Sequence, residues 1–472
     1  MERKAFVRRA ACIPSELVEE FEPGLFGMGL GEARVTDPNQ RILLEAAYEC
    51  LEDAGYDPFG VEGMLGGPVG VFVSGPSLPT YLINQVKGDL SRMMLEEPGE
   101  YVRVELGNDK DYTAPRVSFC LNLTGPSRTI QSACSSSLVA VVEAVEAIRL
   151  GKCSAALAGG ISVQCPQKSG YLYQDGMVLS PDGRVRPFDA DARGTIFTNG
   201  CGVVALKPLA RAIADRDNVY AVIRGVADNN DGRREKRFFA APSAEGQAEV
   251  IRKALRDAQV RPRDVSYVEA HGTGTLVGDP IEFDGLCRVY KSDAAGMRPQ
   301  WCGLGSVKGH IGHPNTAAGV CALSKLILML RHRVLPPIAN YKRANPAIDF
   351  ASSPFYPCTG RARPWPRPRG RRRRTAALSG FGMGGTNAHV VLEEYAEEDE
   401  EYAEGKGKEG SAEAEGMEAR GGEEAEDDGR ESAQLLLISG RTRNALLGNA
   451  ERLCAFFEEQ DREGKGRRAL QK

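Results

Sequence analysis

Apolar residues recur at three- and four-residue spacing in several stretches of the chain, and each such pattern predicts a helix with one buried face. The clearest pattern stops at Gly151 and Lys152, and its apolar positions are Leu138, Val141, Val142, Val145 and Ile148. A second helix is predicted over 38–54, where Gly55 supplies the stop. Further helices are predicted over 208–214, 246–258 and 316–333.

Short apolar runs between glycines or turn residues predict buried strands. These runs cover 67–75, 154–163, 203–207, 219–226, 265–269, 302–306, 376–380 and 390–393. The order strand, glycine-rich turn, helix recurs along the chain, which indicates an α/β fold with buried parallel sheets. In such folds the sites lie at the carboxyl ends of the strands. Residues 76–115 show no clear pattern and are predicted to cover the surface.

Composition narrows the classes of protein to which the chain can belong. It has 472 residues, of which 42% are hydrophobic, enough for one large domain or a few ordinary ones. The net charge of −4 predicts no nucleic-acid partner, and no apolar run approaches the ~18 residues of a membrane span. The twelve cysteines form no C-x-x-C pair, so reduced thiols and a cytoplasmic location are expected, with a plastid as the alternative.

Some segments depart from the composition of the rest of the chain. Residues 361–374 are rich in arginine and proline, and an exposed loop is favoured there over a surface for RNA or anionic lipid. Residues 394–433 consist mainly of Glu, Gly and Ala and are predicted to form a disordered acidic linker. Residues 434–472 regain a strand-then-helix pattern and are interpreted as the start of an incomplete further unit, which leaves 1–393 as the main domain.

One cysteine, Cys134, lies among small residues at the point where the helix containing Leu138 is expected to begin. Unpaired backbone N–H groups and the positive end of the helix dipole are expected to lower the pKa of a thiol at that position and to hold an oxyanion. The small neighbours leave room for a substrate to reach the sulfur. The alternative is a buried structural thiol, which is the commoner state of cysteine in proteins.

Three glycine-rich turns carry four of the five histidines, and they read VEAHGTGTLVGDP at 268–280, GSVKGHIGHPNTAAG at 305–319 and SGFGMGGTNAHVVLE at 379–393. Together with the run SACSSS around Cys134, and in this order, they resemble the ketosynthase (β-ketoacyl synthase) domain of type I modular polyketide synthases, in the thiolase-like family. The resemblance begins at about Phe21 and implies a layered α-β-α-β-α fold.

The resemblance implies a Cys-His-His site. In it Cys134 is the nucleophile that accepts the acyl chain, His271 and His313 are the paired histidines, and Lys308 is the lysine of the site. The alternative for Lys308 is a structural ion pair with a carboxylate such as Glu282. The family chemistry is acyl transfer to the cysteine, then decarboxylative Claisen condensation with a malonyl-type thioester. It implies an acyltransferase-type enzyme of polyketide or fatty acid biosynthesis that binds no metal and no cofactor directly.

Other positions in the same motifs imply further roles. Thr273 and Thr275 would line the tunnel for the 4'-phosphopantetheine arm on which an acyl carrier protein presents the substrates. Met383 would offer its backbone N–H to the oxyanion hole and its side chain to the gate behind the cysteine, and Phe381 would belong to the same oxyanion and gate region. The family also implies a homodimer, with an acyl carrier protein and an acyltransferase domain as partners, and residues 434–472 resemble the start of the linker between ketosynthase and acyltransferase.

The sequence departs from the family pattern at its start, because the apolar strand, glycine-rich turn and Trp-containing helix that open such domains do not precede Phe21. A domain that lacks its first strand and helix is therefore expected. This motivates a second hypothesis, a non-catalytic ketosynthase-like scaffold or a fragment of a larger synthase. A third hypothesis is a Cys-His-Asn hydrolase built on Cys134, His271 and Asn387, but the papain-type C-G-S-C-W motif is missing.

Overall fold

The structure is a computed structural model that describes residues 5–84, 90–236, 238–368 and 370–395, together with isolated positions between 448 and 458. The predicted acidic linker beyond residue 395 and nearly all of the predicted incomplete unit lie outside the described residues, so both assignments stay predictions. The described residues up to 395 belong to one unit of the chain.

Strands and helices alternate along most of this unit, as the recurring sequence pattern predicts. The strands are β1 (Phe6–Val7), β2 (Val69–Ser74), β3 (Ser127–Thr129), β4 (Ala155–Ser162), β5 (Tyr171–Leu172), β6 (Gly200–Leu206), β7 (Val222–Asn230), β8 (Tyr267–Glu269), β9 (Cys302–Gly305), β10 (Val334–Leu335), β11 (Phe355–Pro357), β12 (Arg363–Pro364), β13 (Thr375–Phe381) and β14 (Thr386–Glu393). Every run predicted as a strand overlaps one of them, so these predictions are confirmed.

The helices are α1 (Glu16–Glu19), α2 (Leu30–Val35), α3 (Pro38–Asp53), α4 (Val61–Leu65), α5 (Thr80–Asn84), α6 (Leu90–Glu96), α7 (Pro98–Asn108), α8 (Thr113–Leu121), α9 (Ser136–Arg149), α10 (Leu209–Ala214), α11 (Ala244–Asp257), α12 (Gly278–Tyr290), α13 (Lys308–Ile311) and α14 (Ala318–His332). All the predicted helices are present, as α3, α9, α10, α11 and α14. Within the described residues, none is long and apolar enough to cross a membrane.

Residues 76–115, which show no clear pattern in the sequence, were predicted to cover the surface, and most of those that the structure describes are exposed or half-buried, but they form helices. They contain α5, α6 and α7 and the start of α8. The pattern failed because α5 and α6 bury no residue, so neither has the continuous apolar face on which the prediction depends. Helix α3 shows the opposite case: Pro38 opens it, and the Asp37 carboxylate accepts the N–H of Asn39 at 2.8 Å.

Two sheets form the frame of the unit. One has the strand order β3-β2-β4-β6, and the other has the order β11-β9-β8-β13-β14-β7. The prediction of parallel sheets holds for β3-β2-β4 and for β11-β9-β8-β13, but β6, β14 and β7 are antiparallel to their neighbours. For β13 and β14 the reason is the short connection between them, because a tight turn can join only antiparallel strands.

Helices α9 and α14 form the central layer between the two sheets. Helix α9 packs on β2 and β4 of the first sheet and on β14 of the second, and α14 packs on β6 and β13 and against α9. Helices α3 and α8 cover the first sheet, and α11 covers the second sheet and packs on α12. This arrangement is the predicted α-β-α-β-α layering, and it divides the unit into an N-terminal half around β2–β6 and a C-terminal half around β7–β14.

The arginine-rich segment before β13 is only partly the exposed loop that was predicted. Arg374, at its end, is buried and pairs with Glu394 at 2.7 Å, and Arg333 pairs with the same carboxylate at 2.9 Å. The Glu394 carboxylate thus has two cations and the N–H of Arg374 as partners, as a buried carboxylate requires. Glu394, predicted as the first residue of the disordered linker, therefore belongs to the folded unit, and the boundary is corrected accordingly.

Candidate active site

Cys134 lies at the N-terminal end of the central helix α9, in a tight 3-10 turn formed by Ala133–Ser135. The turn requires a left-handed backbone at Ala133, whose φ is 55°. The Ser136 hydroxyl holds it, since it accepts the N–H of Ser132 at 2.8 Å and donates to the carbonyl of Ala133 at 2.6 Å. The thiol is buried, with 4% of the residue exposed.

The turn between β13 and β14 passes directly over this cysteine. A Cβ at Gly382 would lie 2.3 Å from the carbonyl oxygen of Ser132, so only glycine allows the two segments to come so close. The approach brings the backbone N–H of Met383 to the sulfur, next to the N–H of Cys134 itself. Two backbone N–H groups thus lie beside the sulfur, next to the place where the oxyanion of an attacked thioester would develop, and their predicted role as an oxyanion hole stays a prediction.

The protonation of Cys134 differs from the sequence expectation. Burial raises the pKa of the thiol, while the charge of Lys308 and the N–H groups of Met383 and Cys134 lower it, and burial is the largest of these effects. The helix terminus had been expected to lower the pKa of Cys134, but that prediction did not account for the burial of the sulfur. The resting side chain is therefore a thiol.

His271 and His313 lie face to edge, with ring centroids 5.5 Å apart and planes at 87°. His271 directly follows β8 and Ala270, and its Nδ1 accepts the backbone N–H of Phe381 at 3.3 Å. The Nδ1 of His313 accepts the N–H of Asn315 at 3.2 Å. Because Nδ1 is the acceptor in both rings, the neutral imidazoles carry their proton on Nε2. Each ring thus presents one N–H donor.

Both rings are held neutral. Burial lowers the pKa of His271 well below its ordinary value, and the charges of Lys308 and His313 add to the effect. Burial and Lys308 likewise lower the pKa of His313 well below the ordinary value. A neutral pair beside a lysine can donate hydrogen bonds to a developing anion without first losing a proton.

Lys308 is a buried residue of the site, and its ammonium donates to the carbonyl of His271 at 2.6 Å. Burial lowers its pKa, and the carboxylates of Glu282 and Glu269 oppose that shift. Glu282 accepts the N–H groups of His271 and Gly272 at 2.7 and 2.8 Å, and burial raises its pKa to about 7. Lys308 and Glu282 thus bind the same backbone segment rather than each other. Lys308 donates to the carbonyl of His271, and Glu282 accepts the N–H groups of His271 and Gly272.

The pair Thr273 and Thr275 lies on the outward side of this turn. Their hydroxyl oxygens are 3.1 Å apart, and Thr275 also accepts the N–H of Gly278 at 3.2 Å. Both threonines are half-buried, and they follow His271 by two and four residues. This position fits residues at an entrance to the site, and their contact with a pantetheine arm stays a prediction.

The two residues predicted for the gate differ in burial. The Met383 residue is 50% exposed, and its predicted role at the gate behind Cys134 stays a prediction. The Met383 side chain can stay exposed because Gly382, Gly384 and Gly385, which have no side chains, let the backbone of the turn approach the core closely. Phe381 is 7% exposed, and its ring centroid lies 5.8 Å from that of His271.

Sequence reasoning missed Asn315, which joins the cysteine to the histidines. Its Oδ1 lies 3.9 Å from the sulfur of Cys134, its Nδ2 donates to the hydroxyl of Ser77 at 2.6 Å, and its N–H meets His313. The one available signal was its place two residues after His313. Its contact with Cys134 arises only when α9 and α14 pack together, which no local pattern encodes.

Asn387, the third member of the hydrolase hypothesis, lies elsewhere. Its amide donates to Asn229 at 3.0 Å and to Asp231 at 2.7 Å, so it braces the loop that follows β7. In a Cys-His-Asn hydrolase the asparagine orients the catalytic histidine. Here the backbone of Phe381 does so for His271, and the hydrolase hypothesis has no support from this geometry.

Two family models match the chain. The model described as "Beta-ketoacyl synthase, N-terminal domain" covers residues 5–212, and "Beta-ketoacyl synthase, C-terminal domain" covers residues 220–342. The first match begins upstream of Phe21, where the resemblance was predicted to start, and that boundary was wrong. The first range covers the N-terminal half of the fold, and the second begins at β7 and covers the C-terminal half as far as residue 342, before β11.

Similar proteins and structures agree with the family models. The chain is 41% identical over 461 residues, 97% of its length, to a phenolphthiocerol/phthiocerol polyketide synthase of Mycobacterium tuberculosis. It is 40% identical over 390 residues, 82% of this chain, to the spectinabilin polyketide synthase system protein NorA' of Streptomyces orinoci. The chain spans only 29% and 10% of the length of these relatives.

A solved structure similar to this one is ketosynthase twelve from the bacillaene polyketide synthase of Bacillus amyloliquefaciens. The TM-score is 0.76 and the identity 38%, with 84% of this chain and 66% of that chain covered. The family models, the relatives and the fold agree, and the chain belongs to the β-ketoacyl synthase family, among the ketosynthases of polyketide synthases.

Proposed function

We propose that this chain catalyses a decarboxylative Claisen condensation that extends an acyl chain in polyketide biosynthesis. The observation that carries the proposal is the convergence of a buried nucleophile and two neutral N–H donors in one site. Asn315 contacts both Cys134 and His313, and His271 lies 5.5 Å from His313 between ring centroids. The nucleophile comes from the N-terminal half of the fold, and both donors come from the C-terminal half.

The first step is acyl transfer to Cys134. Its sulfur attacks the carbonyl carbon of an acyl thioester, the new C–S bond forms, and the bond to the departing thiol breaks. The proton of Cys134 leaves with that thiol. The N–H groups of Cys134 and Met383 stabilise the tetrahedral oxyanion, and the charge of Lys308 favours the thiolate as it forms.

The second step uses the histidine pair. A malonyl-type thioester loses carbon dioxide, and the electron pair of the broken C–C bond forms an enolate. The Nε2–H groups of His271 and His313 donate to the thioester oxygen, where the negative charge develops. The enolate carbon attacks the acyl carbon on Cys134, the bond between that carbon and the sulfur breaks, and the cysteine leaves as a thiolate that takes a proton from solvent.

The remaining assignments follow from the same proposal. An acyl carrier protein would present both thioesters on its 4'-phosphopantetheine arm past Thr273 and Thr275, and an acyltransferase domain would load the extender unit. A homodimer would cover the free edge of β3, which ends the first sheet, and the neighbouring Phe119, which is 84% exposed. A cytoplasmic location completes the proposal.

The test is reconstitution of the full chain with an acyl carrier thioester and a malonyl carrier. Mass spectrometry of the carrier should show a β-ketoacyl product two carbons longer than the acyl group supplied. Cys134→Ala should yield none, whereas His332→Asn, at an exposed residue outside the site, should retain condensation. A wild-type chain that binds acyl carrier but forms neither acyl-enzyme nor product would favour the non-catalytic scaffold instead.

A further inference from the structure

Asn315 lies between the nucleophile and a segment that the proposed mechanism does not use. The S–H of Cys134 donates to its Oδ1 at 3.9 Å, and its Nδ2 donates to the hydroxyl of Ser77 at 2.6 Å. Ser77 belongs to the connection between β2 and α5. The backbone of Asn315 is left-handed, with a φ of 44°, and its N–H meets Nδ1 of His313. The side chain and the backbone are thus both held, which fixes the amide beside the sulfur.

Acylation of Cys134 removes the donor that this amide oxygen uses. The thiol proton leaves with the departing thiol, so an acyl-cysteine has no S–H to offer to Asn315. Among the residues that the structure describes, no other group donates to this oxygen. An amide oxygen that loses its donor away from bulk water costs free energy. The acyl group itself is the nearest group that can restore the hydrogen bond.

A hydroxyl on the β-carbon of the acyl chain has the reach to replace the thiol proton. With C–C bonds of about 1.5 Å, the β-oxygen of an acyl-cysteine lies at most about 5 Å from the sulfur. The Oδ1 of Asn315 lies 3.9 Å from the same sulfur, so the two oxygens can meet at the usual O–H···O distance of about 2.8 Å. A methylene group has no such proton to donate, and a β-ketone only accepts.

Ser77 also lines a cavity of about 200 Å³, which has space for the rest of a short acyl chain. The lining is both apolar and polar, and it includes Pro76, Leu82, Val104, Tyr101, Asn108 and Lys110. Asn108 is buried, and its Oδ1 has no hydrogen-bond partner among the described residues. Its Nδ2 donates to the carbonyls of Val35 and Val104. The cavity therefore holds a second acceptor without a donor, which suits a hydroxylated chain better than a saturated one.

We propose that Asn315 selects acyl chains with a hydroxyl group on the β-carbon over saturated and β-keto chains. The inference rests on the proposed function, because it names the substrate class of the same site. In the acyl-enzyme the β-hydroxyl donates to Oδ1 of Asn315, Ser77 fixes the amide, and the rest of the chain enters the cavity beside Ser77. A site with a placed hydrogen-bonding group discriminates strongly against the analogue that lacks the matching group.

The first experiment compares acylation of the full chain by N-acetylcysteamine thioesters. The acyl groups are butanoyl, 3-oxobutanoyl and each enantiomer of 3-hydroxybutanoyl, and intact mass gives the rate of acyl-enzyme formation. One 3-hydroxy enantiomer should acylate Cys134 with a kcat/KM about tenfold above that of the butanoyl and 3-oxobutanoyl thioesters, as expected for one hydrogen bond.

Protein variants assign the selection to the amide. Asn315→Gly removes the amide, keeps a residue that tolerates the left-handed backbone, and should remove the preference. The readout is a ratio of two rates, so a general change in activity cancels. Asn122→Gly is the matched control, at an exposed asparagine with a φ of 54° at the end of α8, and should keep the wild-type ratio. Ser77→Ala releases the amide and should reduce the ratio in part.

Binding to Cys134→Ala separates this inference from the proposed function. The variant lacks the S–H, as the acyl-enzyme does, and it cannot react. Calorimetry with the pantetheine thioesters should give a dissociation constant about tenfold lower for 3-hydroxybutanoyl than for butanoyl. The difference should vanish in the double variant Cys134→Ala with Asn315→Gly. If wild type forms no acyl-enzyme while Cys134→Ala keeps the difference, the proposed function fails and the inference stands.

Four results would overturn the inference. A butanoyl thioester that acylates as fast as both 3-hydroxy enantiomers would show that the β-carbon is not selected. A preference that persists in Asn315→Gly would place the selection on another group. A 3-oxobutanoyl thioester that equals the 3-hydroxy form would show that the site donates to the β-oxygen instead of accepting from it. Equal or undetectable binding of all thioesters to Cys134→Ala, with no acylation of wild type, would refute both the inference and the proposed function.

Discussion

The two halves of this fold share a topology but differ in what they contribute and how they are covered. Each half sends a central helix from a short 3-10 turn, with Cys134 in the turn before α9 and Asn315 in the turn before α14. The N-terminal half supplies the nucleophile, and the C-terminal half supplies both histidines and Lys308. Among the residues that the structure describes, the last antiparallel strand of the C-terminal half, β14, pairs with a further strand, β7. The corresponding strand of the N-terminal half, β6, ends its sheet.

This difference separates chemistry from stability. The site forms where the amino ends of α9 and α14 meet, near the middle of the molecule. The uncovered strand β6 lies at an outer edge, where α3 and α14 pack on it. The corresponding turns therefore carry different groups, a cysteine nucleophile in one half and the amide of Asn315 in the other. The pairing of β6 or β14 at the sheet edge is expected to affect the folding stability of each half instead.

The largest expected effect comes from the contribution of the N-terminal half. Cys134→Ala should abolish condensation, because no other group in the site can form the acyl thioester. The measurement is β-ketoacyl carrier product by mass spectrometry. Cys321→Ala, which removes a cysteine on α14, is the matched control and should retain product. Product from Cys134→Ala at a wild-type rate would remove the nucleophile from the account.

The contribution of the C-terminal half should be separable from the first. His271→Ala and His313→Ala should still accept an acyl group on Cys134, yet condensation should fall about 10²–10³-fold, since each removes a donor to the developing enolate. The measurement is single-turnover formation of acyl-enzyme followed by product. A loss of acylation as large as the loss of condensation would contradict the division of roles.

Stability should differ between corresponding strands. Val390→Ala in β14 removes methyl groups from a fully buried site and should lower the free energy of unfolding by about 2 kcal/mol. Val204→Ala in β6, where the side chain is half-buried, should cost less than about 1 kcal/mol. Urea denaturation compares the pair. Equal losses would mean that β6 is covered as completely as β14.

The last prediction concerns the pH dependence of stability and a buried histidine of the C-terminal half. His389 is fully buried, its Nδ1 lies 3.0 Å from the hydroxyl of Ser379, and burial lowers its pKa to about 3. Between pH 6.5 and about 3 the unfolded chain binds a proton there that the folded chain does not, so folding stability is lost as the pH falls.

His389→Asn should remove this dependence. Its difference from wild type in unfolding free energy should shrink by about 1.4 kcal/mol for each pH unit below 6.5. Denaturation curves at several pH values measure the difference, so that carboxylates common to both proteins cancel. His332→Asn, at an exposed histidine of α14, is the control for losing a histidine. A constant difference across this range would show that His389 gains its proton in the folded state.

The sequence predicted the elements whose apolar faces are long and continuous. Helices α3, α9 and α14 follow from periodicity, because their large apolar residues recur at helical spacing over three or more turns. Helices α5 and α6 have no such face, and the antiparallel direction of β6 depends on its pairing with β4, from which a long segment separates it. Pairing across the sheets is a tertiary property that local pattern does not carry.

The candidate site divides in the same way. Cys134, His271, His313 and Lys308 could be predicted because motifs fix the residue types that the chemistry needs. The direction of the Cys134 pKa shift, the exposure of Met383 and the contact of Asn315 could not be predicted. Each depends on how closely the β13–β14 turn and α14 approach the cysteine, and that distance is set by glycine contacts and helix packing.

The most direct test of the central claim is to locate the acyl group after brief incubation of the full chain with an acyl carrier thioester. Peptide mapping by mass spectrometry distinguishes Cys134 from the other cysteines, including the exposed Cys12. One acyl group per chain is expected, and it should be on Cys134 although that thiol is buried. Acylation spread over exposed cysteines, with Cys134 unmodified, would contradict it.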